Sequence, residues 1–212
     1  MRQVAESFAW PFRAKLTTWL WGCLCVLLVP LLFIPLYGYA IEAIRGAEKD
    51  AGAAPPQWRW SDRMIRDGAS TFLAVFIVMA PIWIFMNPLA GALNGPGRGS
   101  LFAHVFAELI LALPTGILAL LVLPHATASY AATGNPRDIV NVLAALRGVR
   151  RDFAEWNLVA AAIVTAWAIG IACAGLLCVG VVPGLFYAIL VSAHAAATLH
   201  RHDPEGSRPS AR

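Results

Sequence analysis

Long apolar runs alternate along this chain with short segments rich in arginine and tryptophan. Four runs are long enough to lie in a bilayer: 16–41, 70–86, 101–123 and 158–199. The last holds 42 residues and would measure roughly 63 Å as one helix, about twice the hydrocarbon thickness. It therefore has to fold back. Gly175, Gly180, Pro183 and Gly184 supply the turn, leaving two spans at 158–176 and 180–199. Asn87 and Pro88 are expected to close the second run, and Pro124 the third. The 26-residue run 16–41 is interrupted by Pro30 and Pro35. It has too few residues for two full crossings, so it is a shallow re-entrant hairpin or a single fifth span. The pattern predicts an all-α membrane protein with four full transmembrane helices, this Pro-broken N-terminal segment, and amphipathic interfacial helices. One membrane domain is expected over 1–200, and a polar, disordered cytoplasmic tail over 201–212.

The segments between the apolar runs are amphipathic. In 135–156, Asn135 suits an N-cap, Pro136 the first helical position and Asp138 the third. Val142, Leu146, Val149, Phe153 and Trp156 then recur at helical spacing, with charges on the other faces. The spacing predicts one helix lying in the interface, with Trp156 as its anchor and Arg147, Arg150 and Arg151 near lipid headgroups. Similar aromatic and basic segments, 10–19 and 58–69, precede two other apolar runs. The chain thus reads as surface segment then apolar hairpin, three times over. The hairpins end alike in small residues with an aromatic or histidine: Tyr37-Gly38-Tyr39-Ala40, His125-Ala126-Thr127-Ala128 and His194-Ala195-Ala196-Ala197.

Composition supports lipid as the solvent. Hydrophobic residues make up 59% and charged residues only 13%, where a soluble domain has about a quarter charged. The net charge of +4 is small and dispersed, which argues against nucleic acid. The position of the sixteen basic residues carries more information. Residues 1–15 hold three, 41–69 five, 124–156 four and the tail from 201 three, whereas 87–100 holds only Arg98. By the positive-inside rule the basic loops and the C-terminus face the cytoplasm, across a bacterial or archaeal cytoplasmic membrane that the chain crosses several times. Basic residues at both ends of 16–41 favour the hairpin over a single crossing. The run is too long for a signal peptide and is expected to persist in the mature chain.

Glu108 is the candidate for chemistry. It lies seven positions past Leu101 in an apolar span, roughly 11 Å along the helix, and His104 is one turn earlier on the same face. Ionisable groups at that depth usually face the protein interior or a wet cavity. The pair is either a proton relay or ligand-binding site, or a structural polar contact between helices. Cys23, Cys25, Cys173 and Cys178 sit in apolar stretches without His or carboxylate at metal-ligand spacing, so they read as small hydrophobic residues. No metal and no cofactor is expected, because no spacing singles out His125 and His194 as a haem pair. The run 94–100 lacks the Gly-Lys-Ser/Thr ending of a phosphate loop and reads as a connector.

Some of these residues form a recognisable set. Pro35-Leu36-Tyr37-Gly38-Tyr39-Ala40, then Arg45, Pro56-Gln57-Trp58 and Asp67-Gly68, resemble the domain of unknown function 4013 family of prokaryotic membrane proteins. Ala193-His194 and His200-Arg201 resemble its close. The resemblance covers most of the chain, through short aromatic-rich motifs, and implies no activity and no site residues. From the sequence the expected function is non-enzymatic: an accessory or scaffold subunit that packs with other membrane proteins and with anionic lipid of the bilayer. The many small residues in the spans suit close helix packing. The alternative is a small transporter or lipid-handling carrier that uses Glu108 and His104 inside the bundle.

Overall fold

A computed structural model describes residues 2–93, 100–175 and 180–201. The expected connector at 94–99, part of the Gly-rich turn and the tail beyond 201 lie outside them. Among the described residues the chain is all-helical, without strands. A short helix α1 (Arg2–Ala9) and a 3-10 turn (Trp10–Arg13) lead into α2 (Leu16–Leu27) and α3 (Val29–Lys49). Next come α4 (Asp62–Leu93), α5 (Ser100–Thr133), the single turn α6 (Pro136–Ile139), α7 (Val142–Arg151), α8 (Phe153–Ala172) and α9 (Val181–Arg201). Among the described residues, four helices are long and apolar enough to cross a membrane: Asp62–Leu93, Leu101–Thr133, Phe153–Ala172 and Val181–Leu199.

The first apolar run is a helix, a break and a second helix. The break occupies Leu28 and Leu32, whose backbones leave helical geometry at φ/ψ −101/30 and −113/18. Both lie two or three residues before a proline, where a proline ring crowds the preceding turn. The bend therefore falls just upstream of Pro30 and Pro35 rather than at them; Pro35 itself sits inside α3. The two ends of this unit meet. Arg13 Nη1 donates to Gly52 O at 2.9 Å, and Trp10 Nε1 donates to Ala53 O at 2.7 Å.

Two expected boundaries are corrected. Neither Asn87-Pro88 nor Pro124 ends its helix, since α4 continues to Leu93 through Pro81 and Pro88, and α5 to Thr133 through Pro114 and Pro124. A proline within a helix frees the carbonyl four residues earlier, and in an apolar setting another donor must take it. For Pro124 that carbonyl is Leu120 O, which accepts from Trp156 Nε1 at 3.3 Å. Thr127 Oγ1 donates to Leu123 O at 2.7 Å in the same turn. Trp156 thus belongs to α8 and braces α5.

The expected single helix over 135–156 is also divided. Asn135 does cap, its side chain accepting from Arg137 N at 3.2 Å, but α6 closes after one turn. Asn141 then caps again by accepting from Ala144 N at 3.0 Å, and Asp152 closes α7. A second side chain able to replace a backbone acceptor restarts the helix in a new direction.

The bundle has an inner set, α3, α5 and α9, which pack on one another, and an outer set, α2, α4 and α8. The three units that share a sequence pattern also share a packing role. In each, the inner helix receives the surface segment of the next unit. Tyr39 of α3 stacks on Trp58 with ring centroids 4.6 Å apart. His125 of α5 lies against Gly148 of α7. His194 of α9 lies 5.0 Å from the ring of Trp10, which closes the circuit.

Glycine decides how closely α3 and α4 approach. A Cβ on Gly38 would stand 1.9 Å from Met64 O, and one on Gly68 would stand 1.9 Å from Ile34 O. Only glycine allows backbone to touch backbone at both points.

Candidate functional site

That contact sets an arginine of α3 over a carboxylate of α4. The Arg45 Nη1 group pairs with Asp67 Oδ2, and Tyr130 on α5 donates its hydroxyl to Asp67 Oδ1 at 2.8 Å. Asp67 is buried, with 7% of its side chain exposed, and Arg45 keeps only 12%. Arg45 Nε also donates to Ala131 O at 2.9 Å. Ala131 is in the last turn of α5, whose carbonyls lack intrahelical donors and carry the negative end of the helix dipole. Gly134 ends that helix in left-handed geometry (φ 70°), its N–H on Tyr130 O at 2.8 Å. One guanidinium therefore ties three helices together through a carboxylate and a helix terminus. The residues involved, Gly38, Arg45, Asp67 and Gly68, stand scattered along the chain as family-like motifs, and only folding makes them neighbours.

Two clefts open at this end of the bundle. The first, about 440 Å³, lies between the end of α3 and the segment leading into α4, and is lined by Glu42, Arg45, Gly46, Lys49, Pro56, Gln57, Arg59 and Arg63. It holds four cationic side chains against one carboxylate. Arg63 also reaches Asp67 Oδ2 at 3.8 Å from the solvent side. Glu42, one residue past the embedded run, is raised above the ordinary carboxylate range by burial, with Arg45 opposing and Asp67 adding to the shift. The second cleft, about 560 Å³, has the corresponding place between the end of α5 and α7, with Asp138, Asn141, Arg147 and Arg151 among its lining residues.

The residues singled out from sequence are distributed differently. Arg147 and Arg151 line the second cleft, whereas Arg150 is exposed on the outside of α7. Arg147 Nε donates to its own helix at Leu143 O, and Arg151 pairs with Asp152 at 3.1 Å. Glu108 and His104 share a face of α5, as their spacing requires, but it is the outer face: both are exposed, and Ala103 and Ala107 are the buried positions. The expectation that the pair faces the protein interior is corrected here. Ala103 and Ala107 are small enough for a close helix contact and are fully buried, which leaves the longer side chains on the outward face. Around Glu108 stand the exposed Phe102, Val105, Phe106, Leu109 and Ile110.

The Arg45–Asp67 pair was present in the sequence as a motif, without a signal that it would pair. Two charges twenty-two residues apart on different helices have no periodicity to join them. Compared with known proteins, residues 23–182 match the model of a family described as a protein of unknown function, DUF4013. No curated protein and no solved structure matches the chain.

Proposed function

The chain belongs to the DUF4013 family, and from that premise we propose that it is a non-enzymatic accessory subunit of a multi-pass membrane assembly. In this reading the outer face of α5 docks a transmembrane helix of another membrane protein. The observation that carries it is Glu108, an exposed carboxylate on a helix long and apolar enough to span, surrounded by exposed Phe106, Leu109 and Ile110. A charged carboxylate facing lipid costs about 2.5–3.5 kcal/mol at a helix centre on insertion scales, an upper bound for Glu108, which lies in the first half of its span. A partner helix with a cationic or hydrogen-bonding group opposite Glu108 removes that cost. The carrier reading needs Glu108 and His104 to line an interior path, and their outward orientation favours the docking reading.

A photoreactive residue at Leu109 should crosslink to one membrane protein in stoichiometric yield, and one at the buried Thr115 should not. Glu108→Gln keeps hydrogen-bonding capacity and should preserve the adduct, whereas Glu108→Leu should abolish it. Adducts only to lipid, or to a second copy of this chain, would refute the subunit reading.

The same reading takes α2 and the first half of α3 as a re-entrant hairpin and the basic end of the bundle as cytoplasmic. Supporting it, α2 is about 18 Å long, too short to cross about 30 Å of hydrocarbon, and its entry contacts the exit of α3. Cysteines at the exposed Ala9 and Ala53 should react with an impermeant maleimide from the cytoplasmic side alone, and one at Ala92 from the other side alone. Opposite labelling of positions 9 and 53 would make the first run a single crossing.

A further inference from the structure

We propose that the cleft formed by Arg45, Lys49, Arg59 and Arg63 is a seat for the phosphate of an anionic phospholipid headgroup. This deepens the proposed membrane role and rests on the chain lying in a bilayer, not on the identity of any protein partner.

Three observations carry the assignment. The cleft is built, not incidental. Its floor is α3 between Glu42 and Lys49, and its wall is the extended segment with Pro56, Gln57 and Arg59, held by Tyr39 Oη donating to Pro56 O at 2.9 Å and by the Tyr39–Trp58 stack. Its lining is cationic, with four cations and one carboxylate, and Asp67 behind it partners Arg45 and stands 3.8 Å from Arg63. The lining carboxylate, Glu42, is already shifted toward its neutral form by burial. Its deepest cation is incompletely satisfied. Arg45 spends Nη1 on Asp67 and Nε on Ala131 O, and among the described residues the buried Nη2 has no hydrogen-bond partner. A buried guanidinium N–H without an acceptor is costly; Nη2 is covered as it stands, and a phosphate seated in the cleft that Arg45 lines becomes its charge-assisted acceptor once the guanidinium turns toward it.

The position selects the source of the phosphate. The cleft lies where α3 leaves the embedded run and α4 begins, beside the exposed Trp60, a residue type that favours the headgroup level. A headgroup there keeps its acyl chains in lipid while its phosphate meets the guanidinium groups. Lys49 and Arg59 are exposed around the rim and can close on the phosphate without loss of any buried contact, and the exposed Arg63 stands beside them with Asp67 Oδ2 at 3.8 Å.

The test uses the full chain in lipid nanodiscs. Titrating phosphatidylglycerol into a phosphatidylcholine background should raise the unfolding temperature saturably. Lys49→Gln with Arg59→Gln should weaken the apparent affinity about thirtyfold, roughly fivefold per charge removed. Both sites are exposed, so the double variant should fold as the parent does in pure phosphatidylcholine. Arg66→Gln with Arg137→Gln removes the same charge at two exposed positions that line neither cleft and should leave that affinity within about threefold. Equal loss from the two double variants would reduce the effect to unspecific surface charge and overturn the seat. Stabilisation by millimolar inorganic phosphate in pure phosphatidylcholine, equal to that by phosphatidylglycerol, would overturn the lipid source. Stable insertion with no response to phosphatidylglycerol would refute the seat while leaving the docking role of Glu108 to be judged by its own crosslink.

Discussion

Asp67→Ala should lower the stability of the folded bundle by about 3–5 kcal/mol, because removing one partner leaves the other as a buried, unpaired charge. Arg45 would keep only Ala131 O among the acceptors it now uses, and Tyr130 would lose its acceptor at 2.8 Å. Reversible unfolding in mixed detergent micelles measures the change. Replacing both charges together, Arg45→Met with Asp67→Val, should recover most of the loss, since neither apolar side chain leaves a buried charge without its partner. Tyr130→Phe removes one hydrogen bond to a charged acceptor and should cost less, about 1.5–3 kcal/mol. If Asp67→Ala proved neutral, or the double variant as damaging as the single one, the pair would not be what holds α3, α4 and α5 in register. Arg63 approaches the same carboxylate but is 64% exposed, so Arg63→Gln should change stability little.

Gly38→Ala and Gly68→Ala should each cost about 3 kcal/mol or more, at or beyond the upper end of overpacking. In both cases the added methyl meets a backbone carbonyl at 1.9 Å, and a backbone cannot rotate away as a side chain can. The expected response is separation of α3 from α4, which also draws Arg45 away from Asp67. The two predictions are therefore coupled: Gly68→Ala with Asp67→Ala should cost less than the sum of the single changes. Gly91→Ala and Gly116→Ala are the controls. Among the described residues nothing stands within 4 Å of a Cβ at either position. Replacing a helical glycine there should be neutral or stabilising by up to about 1 kcal/mol. Destabilisation by the controls as large as that from Gly38→Ala would mean that the α3–α4 contact is not the sensitive point.

Much of the architecture was legible from one dimension. Lipid leaves an embedded backbone few options beyond the helix, so apolar run length alone located the segments that became α4, α5, α8 and α9. The surface segments that pack on Tyr39, His125 and His194 were readable because each carries its own aromatic or basic signature. Helix ends were less legible. Pro88 and Pro124 read as terminators because their missing N–H breaks the helical ladder, but Trp156 reaches the freed Leu120 carbonyl from thirty-six residues away. No local pattern contains that donor. Asn141 failed as a signal for the opposite reason: its capping is local, but it competes with Asn135 for one helix start, and the chain uses both.

The candidate sites divide in the same way. Sequence by itself determined that this chain is an all-helical membrane protein of the DUF4013 family, with its basic residues gathered in alternate loops. Those properties depend on composition, run length and short motifs, which are additive along the chain. It also determined that Glu108 and His104 share a helix face, because a one-turn spacing admits nothing else. Which face that is was decided by tertiary packing, which buries Ala103 and Ala107 and leaves Glu108 and His104 on the outside. Tertiary structure alone also joined Arg45 to Asp67, Tyr130 and the end of α5. A buried charge is tolerated only where partners from other helices converge on it, and that convergence depends on two glycines letting α3 and α4 touch.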